Sequence, residues 1–199
     1  MDREAYIYSA ADITLLSFEE AVRKRPVMYF GAGSASPDLP TSILRGVIND
    51  ALHPVGGGHR RADAEVTADL RFTVTDDQLP DLDHLGEPRP GFYGSLIGKT
   101  RWALAAAAAL STRTLIEVRA GGRGWRQELT GTAPDRPEPF TASGQADGTR
   151  VTFDLSTAFL GPGAVLSTSP EQLRPCGLSC GACSSAHRDD TLTIRDRRP

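Results

Sequence analysis

Four soft ligands fall within twelve residues late in the chain: Cys176, Cys180, Cys183 and His187, spaced C-x3-C-x2-C-x3-H. Zinc takes four such groups in a tetrahedron, and a compact loop can supply them. Common zinc modules carry two C-x2-C pairs, which this stretch lacks, so structural or incidental thiols stand as the alternative reading. A disulfide does not suit a reducing compartment. A second stretch, "GFYGSLIGKT" at residues 91–100, has two glycines followed by Lys99 and Thr100, the ingredients of a phosphate loop. Such a loop needs four residues between its first glycine and the Gly-Lys pair, so that successive N–H groups curl around the phosphate. Only three separate Gly94 from Gly98, and the preceding "LGEPRP" is loop rather than strand. The stretch is not a P-loop. A turn at Gly91–Gly94 entering a helix still leaves N–H groups that can face an anion.

The third chemical grouping is Arg45, Asn49 and Asp50 in "TSILRGVINDAL". Arg45 and Asn49 are four residues apart and share a helix face, whereas Asp50 is turned about 100° from Asn49. A guanidinium cannot accept a proton from water, but its fork suits a carboxylate or phosphate. Arg45 is read either as a pocket residue or as a surface partner of Asp50 or Asp76. Asp76, at a strand end beside Asp77, is either a ligand-recognition group or a turn former. Tyr93 either lines the mouth of a site or packs under its loop.

These residues need a scaffold. Ser17 and Glu20 have capping-box spacing at the start of a short helix that Pro26 ends. "VMYFGAGSASPDLP" reads as a short extended piece and a loop. Residues 41–52 are predicted helical, with Ile43, Leu44, Val47, Ile48 and Ala51 on one side. Val66, Leu70, Phe72 and Val74 predict a strand, and the alanine-rich run 95–110 a helix that packs close to a sheet. Residues 112–131 form a hairpin around Gly-Gly-Arg-Gly. "APDRPEPF" is proline-rich loop, and "GTRVTFDLS" and "TLTIRD" are further strands. Helices first and antiparallel strands after make the class α+β, with helices on one face of the sheet.

At 199 residues, 39% hydrophobic and 24% charged, the chain suits one globular domain, 1–199, with the cysteines in an insertion at about 170–190. A net charge of −3 without a basic stretch argues against direct nucleic-acid binding. No apolar run reaches membrane-spanning length, and "MDREAYIYSA" lacks a secretory pattern, so the expected location is cytoplasmic. A homodimer is compatible with this composition.

In order along the chain, these segments resemble the ATPase domain of DNA gyrase B, of the GHKL superfamily. "EEAVRKRPVMYFG" is similar to that family's "AVRKRPGMYIG" segment, "DLRFTVTDDQLP" to the strand leading to "DDGRGIP", and "GFYG" to "GLHG". "DGTRVTF" is similar to "GTxVxF", and "TLTIRDRR" to the closing strand. The resemblance implies a Bergerat-type sandwich, a mixed, largely antiparallel sheet with helices on one face and ATP between the two layers. It implies that Asn49 matches the magnesium asparagine, Asp76 the adenine aspartate and Thr149 its supporting threonine. It places Gly91, Tyr93 and Gly94 at the turn by the phosphates.

Arg45 stands where the family has the glutamate that activates water. The glycines of "DDGRGIP" are absent, and only fourteen residues separate Asp76 from Gly91, too few for the family's lid. The lysine of the family's transducer domain lies past the end of this sequence. The expectation is a degenerate domain, without ATP or Mg²⁺ as cofactor, whose pocket holds a small non-nucleotide ligand. Arg45, Asn49, Asp76, Gly91, Tyr93, Gly94 and Thr149 would contact that ligand. One alternative is an isomerase- or cyclase-type enzyme of a biosynthetic pathway, with Arg45, Asp50 and Asp76 as its candidates for catalysis. The other is a residual ATP-binding regulator or partner of gyrase.

Overall fold

The computed structural model describes residues 15–54, 61–173 and 192–199. Helix α1 (Phe18–Lys24) begins with both halves of the capping box: Ser17 Oγ accepts from the Glu20 N–H, and Ser17 N–H donates to Glu20 Oε2 at 2.8 Å. Helix α2 (Val27–Phe30) follows after Pro26. This segment had an extended expectation; it is a helical turn because proline's fixed φ, here −59°, also starts a helix. Helix α3 (Leu39–Leu52) starts two residues earlier than the apolar spacing indicates, with Pro40 in its first turn.

The stretch expected as one strand is a hairpin of β1 (Ala62–Ala68) and β2 (Arg71–Asp76). The chain reverses at Asp69 and Leu70, a turn marked by no glycine or proline. Helix α4 covers only Trp102–Ala109. Residues 95–101 had a helical expectation, but Gly91, Gly94 and Gly98 and their loop hydrogen bonds keep that segment irregular. Then come β3 (Ser111–Ala120), β4 (Arg123–Thr130), β5 (Ala133–Pro134), β6 (Glu138–Thr141), β7 (Gly148–Leu155) and β8 (Leu192–Asp196). β5 and β6 replace the expected proline-rich loop; both pair only with β4, an edge position where a missing N–H is tolerated.

The eight strands form one mixed sheet in the order β5-β4-β3-β7-β2-β1-β8, with β6 also on β4. All pairings are antiparallel except β1 with β8. Alternation puts Ala64, Val66, Phe72, Val74, Ile116, Val118, Val151 and Phe153 on one buried face. Phe72 and Phe153 pair in register with ring centroids 5.1 Å apart. The helices cover this face. α4 is apolar all round and buried from Ala103 to Ala109, with only Trp102 at its start exposed, as expected of a helix without a polar face. Its alanines admit close approach to β3, β7, α1 and α3. Arg23 Nε of α1 caps it by donating to the Ala109 carbonyl at 2.8 Å, a cation at a helix C-terminus. The opposite face of the sheet carries threonines, arginines and glutamates. The architecture is α+β and consistent with a GHKL-type sandwich. Among the described residues, no helix is long and apolar enough to cross a membrane.

Candidate functional site

Three elements converge where β2 ends beneath the C-terminal turn of α3. β2 delivers Asp76, α3 delivers Asp50, and the residue preceding α4 delivers Arg101 between them. Arg101 Nε donates to Asp50 Oδ2 at 2.8 Å, and Nη2 to Asp76 Oδ2 at 2.6 Å. The three side chains are 9%, 8% and 3% exposed for Arg101, Asp50 and Asp76. Burial pushes both aspartates above their ordinary pKa, against the pull of Arg101. Burial also opposes the charge of Arg101, but Asp76 and Asp50 together outweigh it and hold its pKa up. One guanidinium thus serves two buried acids, one negative charge too many when all three are ionised.

Gln78 locks the surroundings. Its Nε2 donates to the carbonyls of Asp50 and Ala51 at 2.8 and 2.9 Å, satisfying acceptors that the end of α3 leaves open. Its N–H donates to Asp76 Oδ1 at 3.0 Å, and its carbonyl accepts from Thr149 Oγ1 at 2.9 Å. Thr149 lies opposite Asp76 in the β2–β7 ladder. The neighbouring Gly148 has φ of +142°, and a Cβ there would overlap the carbonyl oxygen of Asp76. The ladder closes onto Asp76 because position 148 has no side chain.

The loop from Gly91 to Arg101 is pinned at several points. Gly91 N–H donates to Ser95 O and Phe92 N–H to Ile97 O, each at 2.8 Å. Leu96 N–H reaches Gln127 Oε1 of β4 at 2.7 Å. Tyr93 adopts a left-handed φ of 57°, unusual for an aromatic residue. Its hydroxyl donates to the Ala105 carbonyl at 3.0 Å, and its ring lies near Phe18 and Phe92. Burial raises the pKa of that phenol.

No family model matches the chain. It is similar to the novobiocin-resistant DNA gyrase B of Streptomyces niveus, 31% identical over 165 residues, covering 73% of this chain and 24% of the relative. To the novobiocin-sensitive DNA gyrase B of the same organism it is 28% identical over 168 residues, with the same coverage. The chain is a gyrase-B-like domain. It spans about a quarter of the length of these relatives.

Within this gyrase-B-like domain, the expected site residues divide. Asp50, Asp76 and Thr149 come together around Arg101 and Gln78. Arg45 is exposed on α3, and its Nη2 lies 3.4 Å from Ser42 Oγ, one turn back. The arginine on the acids is therefore Arg101, not Arg45. Asn49 is half-buried on the face it shares with Arg45. Gly91, Tyr93 and Gly94 form a turn that precedes α4 by a loop instead of opening it directly. The hydroxyl of Tyr93 is engaged with α4. Among the described residues, no three or more His, Cys, Asp or Glu side chains are grouped to hold a metal ion. Cys176, Cys180, Cys183 and His187 lie outside the described residues.

Arg101 and Gln78 escaped the sequence reading. A signal for Arg101 appears only once α4 is seen to start at Trp102, since the alanine-rich pattern puts Arg101 inside a helix over 95–110: a cation at the N-terminus of a helix opposes the helix dipole, and this helix is wholly apolar. An arginine in that place needs a specific acidic partner. For Gln78 no such signal exists, since its role depends on where α3 ends in space.

Proposed function

We propose that this gyrase-B-like domain binds a small molecule other than a nucleotide and does not hydrolyse ATP. The reading rests on one observation: Arg101 occupies Asp76, the residue matching the adenine aspartate. Adenine's amino group needs an open carboxylate oxygen, and here Arg101 and the Gln78 N–H are the donors on Asp76. The group that activates water is replaced as well, since the guanidinium at position 45 cannot take a proton. ATP with Mg²⁺ does not fit this residue set. On α3 the exposed Arg45 shares a face with the half-buried Asn49, and its guanidinium suits a carboxylate-bearing ligand.

The test is thermal denaturation of the purified chain with ATP–Mg²⁺, ADP and novobiocin, alongside phosphate release. Novobiocin is included because the two relatives are distinguished by their response to it. A ligand of the native state raises Tm by mass action. The expected result is no rise with either nucleotide and no phosphate released; a rise with novobiocin alone would support a pocket that keeps a non-nucleotide occupant. A saturable rise with ATP–Mg²⁺ overturns the reading. One observation favours a second reading, an isomerase- or cyclase-type enzyme: the raised pKa of Asp50 and Asp76, a trait of proton-transfer groups. That reading requires Asp76→Asn to abolish turnover in a folded protein.

A further inference from the structure

The sheet face turned away from the helices is not flat. Thr67, Ala68, Arg71, Thr73, Leu115, Glu117, Arg150 and Thr152 line a cavity of about 600 Å³ on it, a size in the range of small-molecule sites. The concavity has a local cause. The β1–β2 register shifts between Val66 and Ala68, which leaves Thr67 as an extra residue just before the turn. Such bulges bend a strand and re-aim its side chains, and they are common beside functional sites.

The donors around this cavity are under-used. Arg71 faces Asp154 at 3.3 Å and Arg150 faces Glu65 at 3.9 Å, contacts that are ion pairs without a hydrogen bond. Neither arginine makes a side-chain hydrogen bond among the described residues. Both are nearly half exposed, with 46% and 43% of the side chain accessible. Their two acids are shared: Asp154 also faces Arg113, and Glu65 also faces Arg195. The one lining acid, Glu117, is already held by Arg126 Nε and Nη2 at 2.8 and 2.5 Å. At the wall, Thr67 Oγ1 is buried without a hydrogen-bond partner. Thr73 and Thr152 bond each other across the floor at 2.8 Å, and Leu115 and Ala68 give it apolar surface.

We propose that this cavity is a second ligand site, on the opposite side of the sheet from the Asp50–Arg101–Asp76 cluster, for a small organic anion gripped by Arg71 and Arg150. Each planar fork has donors left for a carboxylate or phosphate oxygen, and the β2–β7 register puts Arg71 and Arg150 on either side of the Thr73–Thr152 pair, two residues along from it in each direction. Leu115 and Ala68 would take the apolar part of the molecule. A rotation of Thr67 towards a bound acceptor would satisfy its hydroxyl.

The test is a titration of the isotopically labelled chain, followed by amide chemical shifts, with citrate as a carboxylate probe and phenyl phosphate as a phosphate probe. Millimolar binding of at least one probe is expected. Its shifts should centre on residues 67–73 and 150–152, and Arg71→Met/Arg150→Met should weaken it tenfold or more. Arg89→Ala, at an exposed arginine of the loop after β2, should leave it unchanged, and the location of the shifts separates this site from the reading of the helix-covered face. If the double variant fails to fold, Arg150→Met alone carries the test, because that side chain's ion pair among the described residues is long. Citrate binding without phenyl phosphate binding identifies a carboxylate ligand, and the converse a phosphate. Absence of shifts with both probes overturns the proposal; so do shifts centred on α3, or affinity undiminished in the arginine variants.

Discussion

Arg101→Met is the substitution that interrogates the buried cluster most directly. Methionine keeps most of the side-chain volume but removes the single cation between Asp50 and Asp76. Two acids then remain enclosed, at 8% and 3% exposure, with no counter-charge among the described residues. Breaking a buried ion pair by removing one partner costs about 3–5 kcal/mol, mostly the desolvation of the charge left behind. For a domain of this size, each kcal/mol lowers Tm by about 2–4 °C, so a fall of about 6–20 °C is expected. Urea unfolding at pH 8 measures the loss directly.

The same argument dictates two controls. The abandoned acids relieve the penalty by taking up protons, so the loss should be smaller at pH 5 than at pH 8. Neutralising them in Arg101→Met/Asp50→Asn/Asp76→Asn should recover at least half of it, because a buried charged group exchanged for neutral residues of similar volume is often close to neutral in stability. A single variant within about 1 kcal/mol of the wild type would refute the reasoning, since truncating a partner of a buried charge is among the large effects. So would a triple variant no more stable than the single one, which would assign the loss to packing.

Two further outcomes follow from the same geometry. Asp50 and Asp76 have raised pKa in the folded chain, so their contribution is greatest below the ordinary aspartate range and is lost as pH rises through the raised values. Glu20, Asp83, Glu128 and Asp196 shift the other way, contributing above their ordinary values and losing that contribution on acidification. The difference between Asp76→Asn and wild type isolates the cluster: the variant should gain relative stability as pH rises from about 4 to 8, and Tm measured across that range without such a trend would disprove it. Gly148→Ala should cost about 3 kcal/mol or more, combining its positive φ with an overlap at the Asp76 carbonyl, against about 1–2 kcal/mol for Gly144→Ala, which has positive φ and open space. Equal losses in chemical denaturation would mean the β7 approach to Asp76 is not tight.

Local rules made much of the scaffold legible. The Ser17 capping box, the apolar spacing of α3 and the Gly121–Gly122 turn between β3 and β4 act over a few residues, and each is where its pattern indicates. The errors fall where a local signal has two readings. Pro26 suits an extended chain and a helix start alike, the β1–β2 reversal has only Asp69 to announce it, and the alanine-rich propensity of 95–110 yields to the glycine turns before Arg101. The candidate acids Asp50 and Asp76 were legible because each stands at the end of a recognisable element. Their meeting on one arginine was not, since Arg101 is 51 and 25 residues away along the chain.

The amino-acid order alone determined the α+β class, much of the helix and strand pattern and the likeness to gyrase B, all properties of neighbours in the chain. Only the tertiary structure decided which cation the two acids hold, that Arg45 stays at the surface, and that a cavity opens on the far side of the sheet. These depend on how α3, α4 and eight strands pack around one another. A buried charge takes the partner that packing brings within hydrogen-bond reach, and the distance along the sequence has no part in that choice.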